Sequence, residues 1–565
     1  MENEKILAKP IENVDVTSLP KELFKEVPDH SDLHDQAFET KPVSFLRDSF
    51  NRFAKNKASI VAAVIILIIA LYAIIVPFVM PTAYVDSTTY PNGFQDSYFG
   101  FVTPYCSWFK GTGFWDGTKT KTVKEKDYIA LEYDDSNHQY LVKTENKTEK
   151  FVLGERKVIY TVRYDTYAIG NKTVYLKPSE YQSLKEEDKK REANGQATIL
   201  KPLVDIDSYM ASYQTELEND PLTAGGSETE KNYRNEILKN MRDYYKNNSR
   251  IYYALTAKQD NGKYNSNTFS PVFTKDANGN DVPKEIYKKN ADGSYAEPTE
   301  SGGTIAARVD YYDYFIWKNG FEPHFIFGTN DQGQDIFLRL AKGTRFSLLL
   351  GVVISAINFI IGLVWGAISG YYGGYVDLTM ERITDIISNI PSIIILTICS
   401  IQFNNNVALK ASIGEAGVLI LAFLVAFVYS GWIGVAGTTR MQFYRFKGQE
   451  YVLASRTLGA KDRRLIFKHI LPNAIGTLVT SSVLMIPSVI FSESTLSYLN
   501  IIDFSKSNLS SIGTLLSEGQ SAGLQYNPHV LLFPCIIISL LMICFNLFGN
   551  GLRDAFNTSL KGADE

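Results

Sequence analysis

Histidine and cysteine are scarce in this chain, six and four among 565 residues. Cys106, Cys399, Cys535 and Cys544 cannot build a disulfide framework, and three of them sit in apolar runs, where cysteine acts as a small hydrophobe. There is no CxxC pair and no HExxH, so no metal motif. An excess of one charge sign is also missing. The 57 basic and 61 acidic residues leave a net charge of −4, which argues against a nucleic-acid binder. Gly328 and Gly333 have P-loop spacing, but Gln334 and Asp335 follow where phosphate binding needs Lys and Ser/Thr. We assign no ATP site there, and no catalytic, cofactor-binding or metal-ligating residue anywhere in the chain.

Long apolar runs are what the chain does have. Ile60–Met80 holds 21 residues without a charge, and at about 1.5 Å per residue it spans about one bilayer core. It is too long and too far into the chain for a signal-peptide core, and no A-x-A site follows it. Five more candidate spans follow at about 346–369, 383–402, 417–437, 474–496 and 528–549; the 383–402 run is the weakest, diluted by Asn389, Pro391 and several Ser/Thr. Six spans put both ends of the chain on one side. Residues 438–473 carry eight bases against only Glu450 and Asp462, so this loop and both termini are expected to face the cytoplasm.

Residues 81–345 are then expected outside. So long a stretch is not a simple loop, and we expect an α+β fold. Val158, Tyr160, Val162 and Tyr164 alternate as on one strand face, helices are expected at 178–194 and 229–248, and turns at Asn261-Gly262, Asn278-Gly279 and Asp292-Gly293. Residues 1–40 read as a polar tail. Ser44 is a candidate cap for a short amphipathic helix leading into the first span.

Ionisable residues within the spans are few. Arg382 and Asp385 lie three apart on one helix face, and Glu493 lies near the outer end of the fifth span. No span has the chain of acids or histidines that a proton relay needs. Paired catalytic aspartates and GxSxG are lacking too, which disfavours a proton-coupled carrier and an intramembrane protease. Pro487 and Glu493 are candidates for shaping a pathway or gate, with structural packing as the alternative for both.

The basic loop Glu450–Asn473, EYVLASRTLGAKDRRLIFKHILPN, reads as two short helices around Gly459. Tyr451, Ala454, Ser455, Arg456 and Leu458 precede that glycine; Ala460, Asp462, His469, Leu471 and Pro472 follow it. Small residues on one face and bases on another fit a docking element. A merely topological basic loop is the alternative.

This loop resembles the EAA loop of permeases in ATP-binding-cassette importers. Leu453-Ala454-Ser455, Gly459 and His469-Ile470-Leu471-Pro472 keep its spacing, with Leu453 and Ser455 replacing Glu and Ala. The ending His469–Asn473 is similar to the oligopeptide and dipeptide branch. So are Phe327–Asp335, in which Asn330 and Gln334 replace an Asp and an Arg, and Gly370–Asp377. Glu493–Ser497 and Asn550–Asp554 follow in the same order. The resemblance covers about 43–80 and 325–561.

It implies an all-α polytopic membrane protein with six transmembrane helices, the type I ABC importer permease fold, plus an inserted extracellular α+β domain. The implied layout is an N-terminal tail and amphipathic helix (1–57), a first span (58–80), the insert (81–325) and a permease core (326–565) with its coupling loop at 450–473. The implied site is a bacterial plasma membrane. Implied partners are a homologous second permease, two cytoplasmic ATPases that bind ATP and Mg, and an external lipid-anchored peptide-binding protein. The cargo is a peptide, with dipeptides or nickel chelates as alternatives. A membrane sensor fits less well, because the segment after Leu552 is too short for an output domain.

Overall fold

The computed structural model describes residues 45–84, 96–134, 140–152, 155–219, 226–248, 253–255, 269–502, 504 and 509–556. The tail 1–40, the Ser44 cap, the Asn261-Gly262 turn and residues 557–561 of the resemblance lie outside them. Helix α1 (Phe45–Lys55) ends on Arg52 and Lys55, and α2 (Lys57–Tyr84) carries the first apolar run. Most of the large side chains of α2 are exposed, from Val61 to Val79, as expected of a surface in contact with lipid. One edge is anchored to the last helix: Ser59 Oγ donates to Leu547 O at 3.0 Å, and Ile69 packs with Leu541 and Phe545.

Residues 96–319 build an α+β fold from β1 (Thr118–Lys124), α3 (Glu125–Asp134), β2 (Leu141–Val152), β3 (Glu155–Asp165), β4 (Asn171–Leu176), α4 (Pro178–Ala193), α5 (Ile206–Asn219), α6 (Glu228–Asn248), the short strands β5 (Tyr253–Leu255), β6 (Phe269–Pro271), β7 (Phe273–Lys275), β8 (Asp281–Pro283) and β9 (Glu300–Ser301), then β10 (Thr304–Asp310) and α7 (Tyr311–Asn319). Two antiparallel three-stranded sheets are ordered β1-β3-β2 and β4-β10-β9. On β3, Val158 and Val162 are buried; Tyr160 stacks on Tyr128 at 4.1 Å and Tyr164 on Tyr140 at 5.1 Å, so the predicted alternation is present. The main core joins Leu176, Leu184, Ile199, Ala307, Val309 and Phe325, all at most 1% exposed. A smaller one forms between α5 and α6 around Ile237 and Met241.

The base of this fold is tied to the segment entering the bundle. Phe101 N donates to Asn330 O, Thr329 N to Val102 O and Tyr105 N to Phe325 O. Lys119 Nζ reaches Asn527 Oδ1 at 3.0 Å.

The bundle consists of α8 (Ile336–Tyr372), α9 (Gly374–Ser388), α10 (Ser392–Asn405), α11 (Val407–Gly431), α12 (Ile433–Lys447), α13 (Glu450–Thr457), α14 (Asp462–Arg464), a π turn at Leu465–Ile470, α15 (Leu471–Tyr498), α16 (Ile512–Ala522) and α17 (Pro528–Phe556). Among the described residues, five helical stretches, α2 included, are long and apolar enough to cross a membrane, and the pair α9 and α10 passes the same test together. That pair covers the span expected at 383–402, and its halves are bent by 67°. The cause is local. Pro391 disfavours helical geometry at Ile390, and Asn389 ends α9 by donating Nδ2 to Asp385 O at 2.7 Å. Helix α8 starts ten residues before the expected span because Asp335 caps it, accepting from Phe337 N at 2.8 Å.

Small residues set a close contact between α8 and α12. Gly362, Gly366 and Gly370 lie on the α8 face toward α12, where added Cβ atoms would meet Trp432 O, Ala436 O and Arg440 O.

Candidate functional site

Helix α13 ends in a Schellman motif. Gly459 has φ +82°, its N–H donates to Arg456 O at 2.9 Å, and Ala460 N donates to Ser455 O at 3.1 Å. The chain therefore reverses at Gly459 into α14. The π turn that follows has more residues per turn than an α-helix, so Leu465 and Ile470, five apart, both face inward and are fully buried. With Val452, Phe443 and Tyr371 they form an apolar base under the loop.

Polar contacts fasten that base. Tyr371, in the last turn of α8, donates its hydroxyl to Asp462 Oδ1 at 2.6 Å and accepts from Arg456 Nη2 at 3.3 Å. Lys447 Nζ donates to Gly370 O at 2.9 Å. Beside it, Arg440 on α12 makes a two-pronged ion pair with Asp377 on α9, at 2.6 and 2.7 Å. Tyr444 and Ser369 also donate to Asp377, and Glu381 lies 3.2 Å from Arg440. Apart from the Ser369–Asp377 bond, which joins α8 to α9, these contacts tie the loop or α12 to α8 and α9.

The outer face has a different character. Leu458 is 88% exposed and Phe467 62%; Tyr451, Leu453, Ala454 and Glu450 are exposed beside them. Ser455, His469 and Leu471 are half-buried. Pro472, which has no backbone N–H, sits where the π turn passes without interruption into α15. Tyr451 accepts from Asn473 Nδ2 at 3.2 Å, tying the two arms together. Between Gly459 and Pro472, Lys461, Arg463, Arg464, Phe467 and Lys468 line a shallow, basic, partly apolar hollow.

The glycine-rich stretch before α8 is a capping loop. Asn330 Oδ1 accepts from Gln332 N and Gln334 N, while its Nδ2 donates to Gln334 Oε1 at 3.2 Å and to Glu518 Oε2 at 3.2 Å. Arg339 clamps the same Glu518, with one bond at 2.6 Å. The two residues that depart from the family motif therefore sit against each other, and an amide pair occupies the place of an acid and a base. Glu493 is 1% exposed and accepts from Ser347 Oγ at 2.9 Å and Ser497 Oγ at 3.1 Å. Ser347 Oγ in turn accepts from Ile512 N, which opens α16. Pro487 is buried on the same helix. Within this subunit both residues lie inside the packing, and Glu493 binds α8, α15 and α16 together.

A family model described as the binding-protein-dependent transport system inner membrane component matches residues 362–562. A second, the N-terminal transmembrane domain of oligopeptide transport permease C, matches 44–97. The oligopeptide transport system permease protein OppC of Bacillus subtilis (strain 168) is 40% identical over 42% of this chain and 72% of its own length. The chain belongs to this permease family. The dipeptide transport system permease protein DppC of the same organism is 35% identical over 42% of this chain and 69% of its own. Among solved structures, the MetNI methionine ABC transporter in an inward-facing conformation aligns with 39% of this chain and 96% of its own at 18% identity, with a TM-score of 0.31.

As a member of this family the chain is a multi-pass membrane permease, and residues 98–361 lie outside both family models. Sequence reasoning picked out the loop of this permease but missed the Arg440–Asp377 pair. Asp377 stood in a quoted motif and Arg440 counted only as one base of eight. Nothing in the local pattern links residues 63 apart.

Proposed function

We propose that this permease forms half of the translocation pathway of a peptide importer, and that Glu450–Pro472 is where a cytoplasmic ATPase docks. The observation that carries this reading is the two-sided build of the loop. Its underside is fastened to α8 and α12 by a buried apolar base and the Tyr371–Asp462 bond, while Leu458, Phe467 and a basic hollow face outward. Such an element moves with the bundle when pushed. ATP closure of an ATPase pair then swings the spans between inward- and outward-facing arrangements as a rigid-body change.

In this reading α9 and α10 count as one bent span, giving six, with both termini and the loop cytoplasmic and residues 81–345 outside a bacterial plasma membrane. The layout is the tail and amphipathic helix at 1–57, the first span at 58–80, the extracellular insert at 81–325 and the core at 326–565. A homologous permease completes the pathway, two ATPases bind ATP and Mg, and a lipid-anchored binding protein delivers oligopeptides. The dipeptide permeases among its relatives favour dipeptides as a second cargo.

The test is co-purification from native membranes in mild detergent. Leu458 is exposed, so Leu458→Asp leaves the fold intact. It should release the ATPases while the second permease is retained. ATPases that stay bound to this variant at wild-type levels would refute the docking assignment.

A further inference from the structure

The loop between Cys106 and Asp116 presents a cluster of aromatic rings to the outside. Trp108 is 90% exposed, Phe114 62% and Phe109 39%. Phe109 and Phe114 lie 5.7 Å apart, and both approach Trp115, at 6.5 and 5.8 Å. Exposed aromatic rings gathered on one short loop mark a contact surface.

The loop is also preformed. Cys106 N donates to Trp115 O, Gly113 N to Asp116 Oδ2 at 2.7 Å, and Thr112 Oγ1 to Phe109 O at 2.7 Å. Gly111 and Gly113 take φ near +83° and +82° to allow this path. Asp116 is buried, held by Thr118 Oγ1 at 2.6 Å, which leaves Lys110 as the one charge on the outer part of the loop.

The bundle shows at what height the patch sits. The Trp115 ring lies 5.4 Å from Phe533, in the second turn of α17, and 6.0 Å from Phe327, and its indole N–H donates to Ile326 O. Phe327 stacks on Phe533 at 3.9 Å and packs 5.0 Å from Phe337, in the first turn of α8. At the far end of α8, Trp365 lies 5.0 Å from Trp432. Phe337 and Trp365 are 28 residues apart, about 42 Å along a helix axis, longer than the roughly 30 Å hydrocarbon core and close to the roughly 40–45 Å of a bilayer with its headgroup regions included, so the two rings reach opposite headgroup regions. Two aromatic layers at that spacing follow the pattern of the two membrane interfaces. The exposed Leu532 and Ile536 of α17 continue the apolar surface downward.

We propose that Trp108, Phe109 and Phe114 insert into the headgroup–acyl boundary of the bilayer, so that the loop pins the large fold of residues 96–319 to the lipid surface. The occupant is lipid because the patch adjoins a membrane helix at interface height and its outer residues are aromatic with a single lysine; the carboxylates near the loop, Asp165, Asp313 and Glu322, line a cavity on the Lys110–Gly111 side. The proposal rests on the reading of α8 and α17 as membrane spans, and its test separates the two.

Two single-tryptophan versions of the full chain are assembled with their partners in nanodiscs, one keeping Trp108 and one keeping Trp365. Lipids brominated near the headgroup end of the acyl chains should quench both, and acrylamide should quench Trp108 several-fold less than free tryptophan. Quenching of Trp365 alone overturns the insertion and leaves the spans standing. Quenching of neither overturns both. Protection of Trp108 from acrylamide without lipid quenching means that protein covers the loop, which also overturns the proposal. On the unmodified protein, a photoactivatable lipid should leave adducts within 106–115; adducts on α17 and none on the loop refute it.

Discussion

Replacing Gly362 by alanine tests the close contact between α8 and α12. The added Cβ would fall 2.6 Å from Trp432 O and 2.6 Å from Val435 Cβ. Ordinary C···O and C···C contacts are about 3.3 Å and about 3.5–4.0 Å, so α8 and α12 must part by roughly 0.7–0.9 Å. Neither Trp432 O nor Val435 Cβ is the end of a flexible side chain, so the helices themselves have to move. Overpacking of this kind costs about 1–3 kcal/mol. A core of 150–250 residues responds by roughly 2–4 °C per kcal/mol. Gly362→Ala should therefore lower the melting temperature of the solubilised complex by several degrees, read by size-exclusion chromatography after heating. Gly437→Ala is the control. It lies on the exposed side of α12 with nothing within 4 Å, and better helix propensity should stabilise it by up to about 1 kcal/mol. A Gly362→Ala protein that melts at or above the wild-type temperature would refute the close approach of α8 and α12.

Three further outcomes are expected. Glu493→Ala leaves the Ser347 and Ser497 hydroxyls without their acceptor in a buried site, at about 1–3 kcal/mol each, and should melt well below Glu493→Gln in the same assay. Tyr371→Phe removes a bond to a carboxylate worth about 1.5–3 kcal/mol, so trypsin should cut at Lys461, Arg463 or Arg464 about tenfold faster or more; an unchanged rate would show that the bond does not hold the loop. Burial lowers the Lys172 ammonium to about 8 from its ordinary 10.5. Between those values the unfolded chain keeps a proton that the folded chain has released, so stability rises with pH across about 8 to 10.5. In chemical denaturation of the whole protein, Lys172→Met should remove that part of the slope, and identical slopes would contradict the burial.

The apolar runs were legible because a bilayer leaves a chain little choice: every backbone N–H and C=O must be satisfied within the segment, so a long uncharged run reads as a helix. The turn of the loop was legible because a helix stop at Gly459 is a local event whose residue carries its own conformational preference, whereas the helix expected to end at Leu471 runs on through Pro472 into α15. Pattern on β3 and the turns at Asn278-Gly279 and Asp292-Gly293 are local in the same sense, with both glycines at positive φ. These features depend on neighbours a few residues away.

What needed the tertiary structure depends on residues far apart in sequence. Pro391 and Asn389 break the helix locally, but the 67° at which α10 leaves α9 is a property of the folded bundle. Asp377 and Arg440, Asn330 and Glu518, Glu493 and Ser347 meet only because the bundle closes around them. Leu453 and Phe467 belong to a helical pattern that assigns neither an inside nor an outside until the base beneath them is built. The height of Trp108 is the clearest case. Its sequence neighbourhood says aromatic and loop, and only the contact of Trp115 with Phe533 places that loop at the end of a membrane helix. Short-range preference determined which segments are helices and where they stop; long-range packing decided which side chains share a site, because burial and charge pairing exist only between surfaces that have already met.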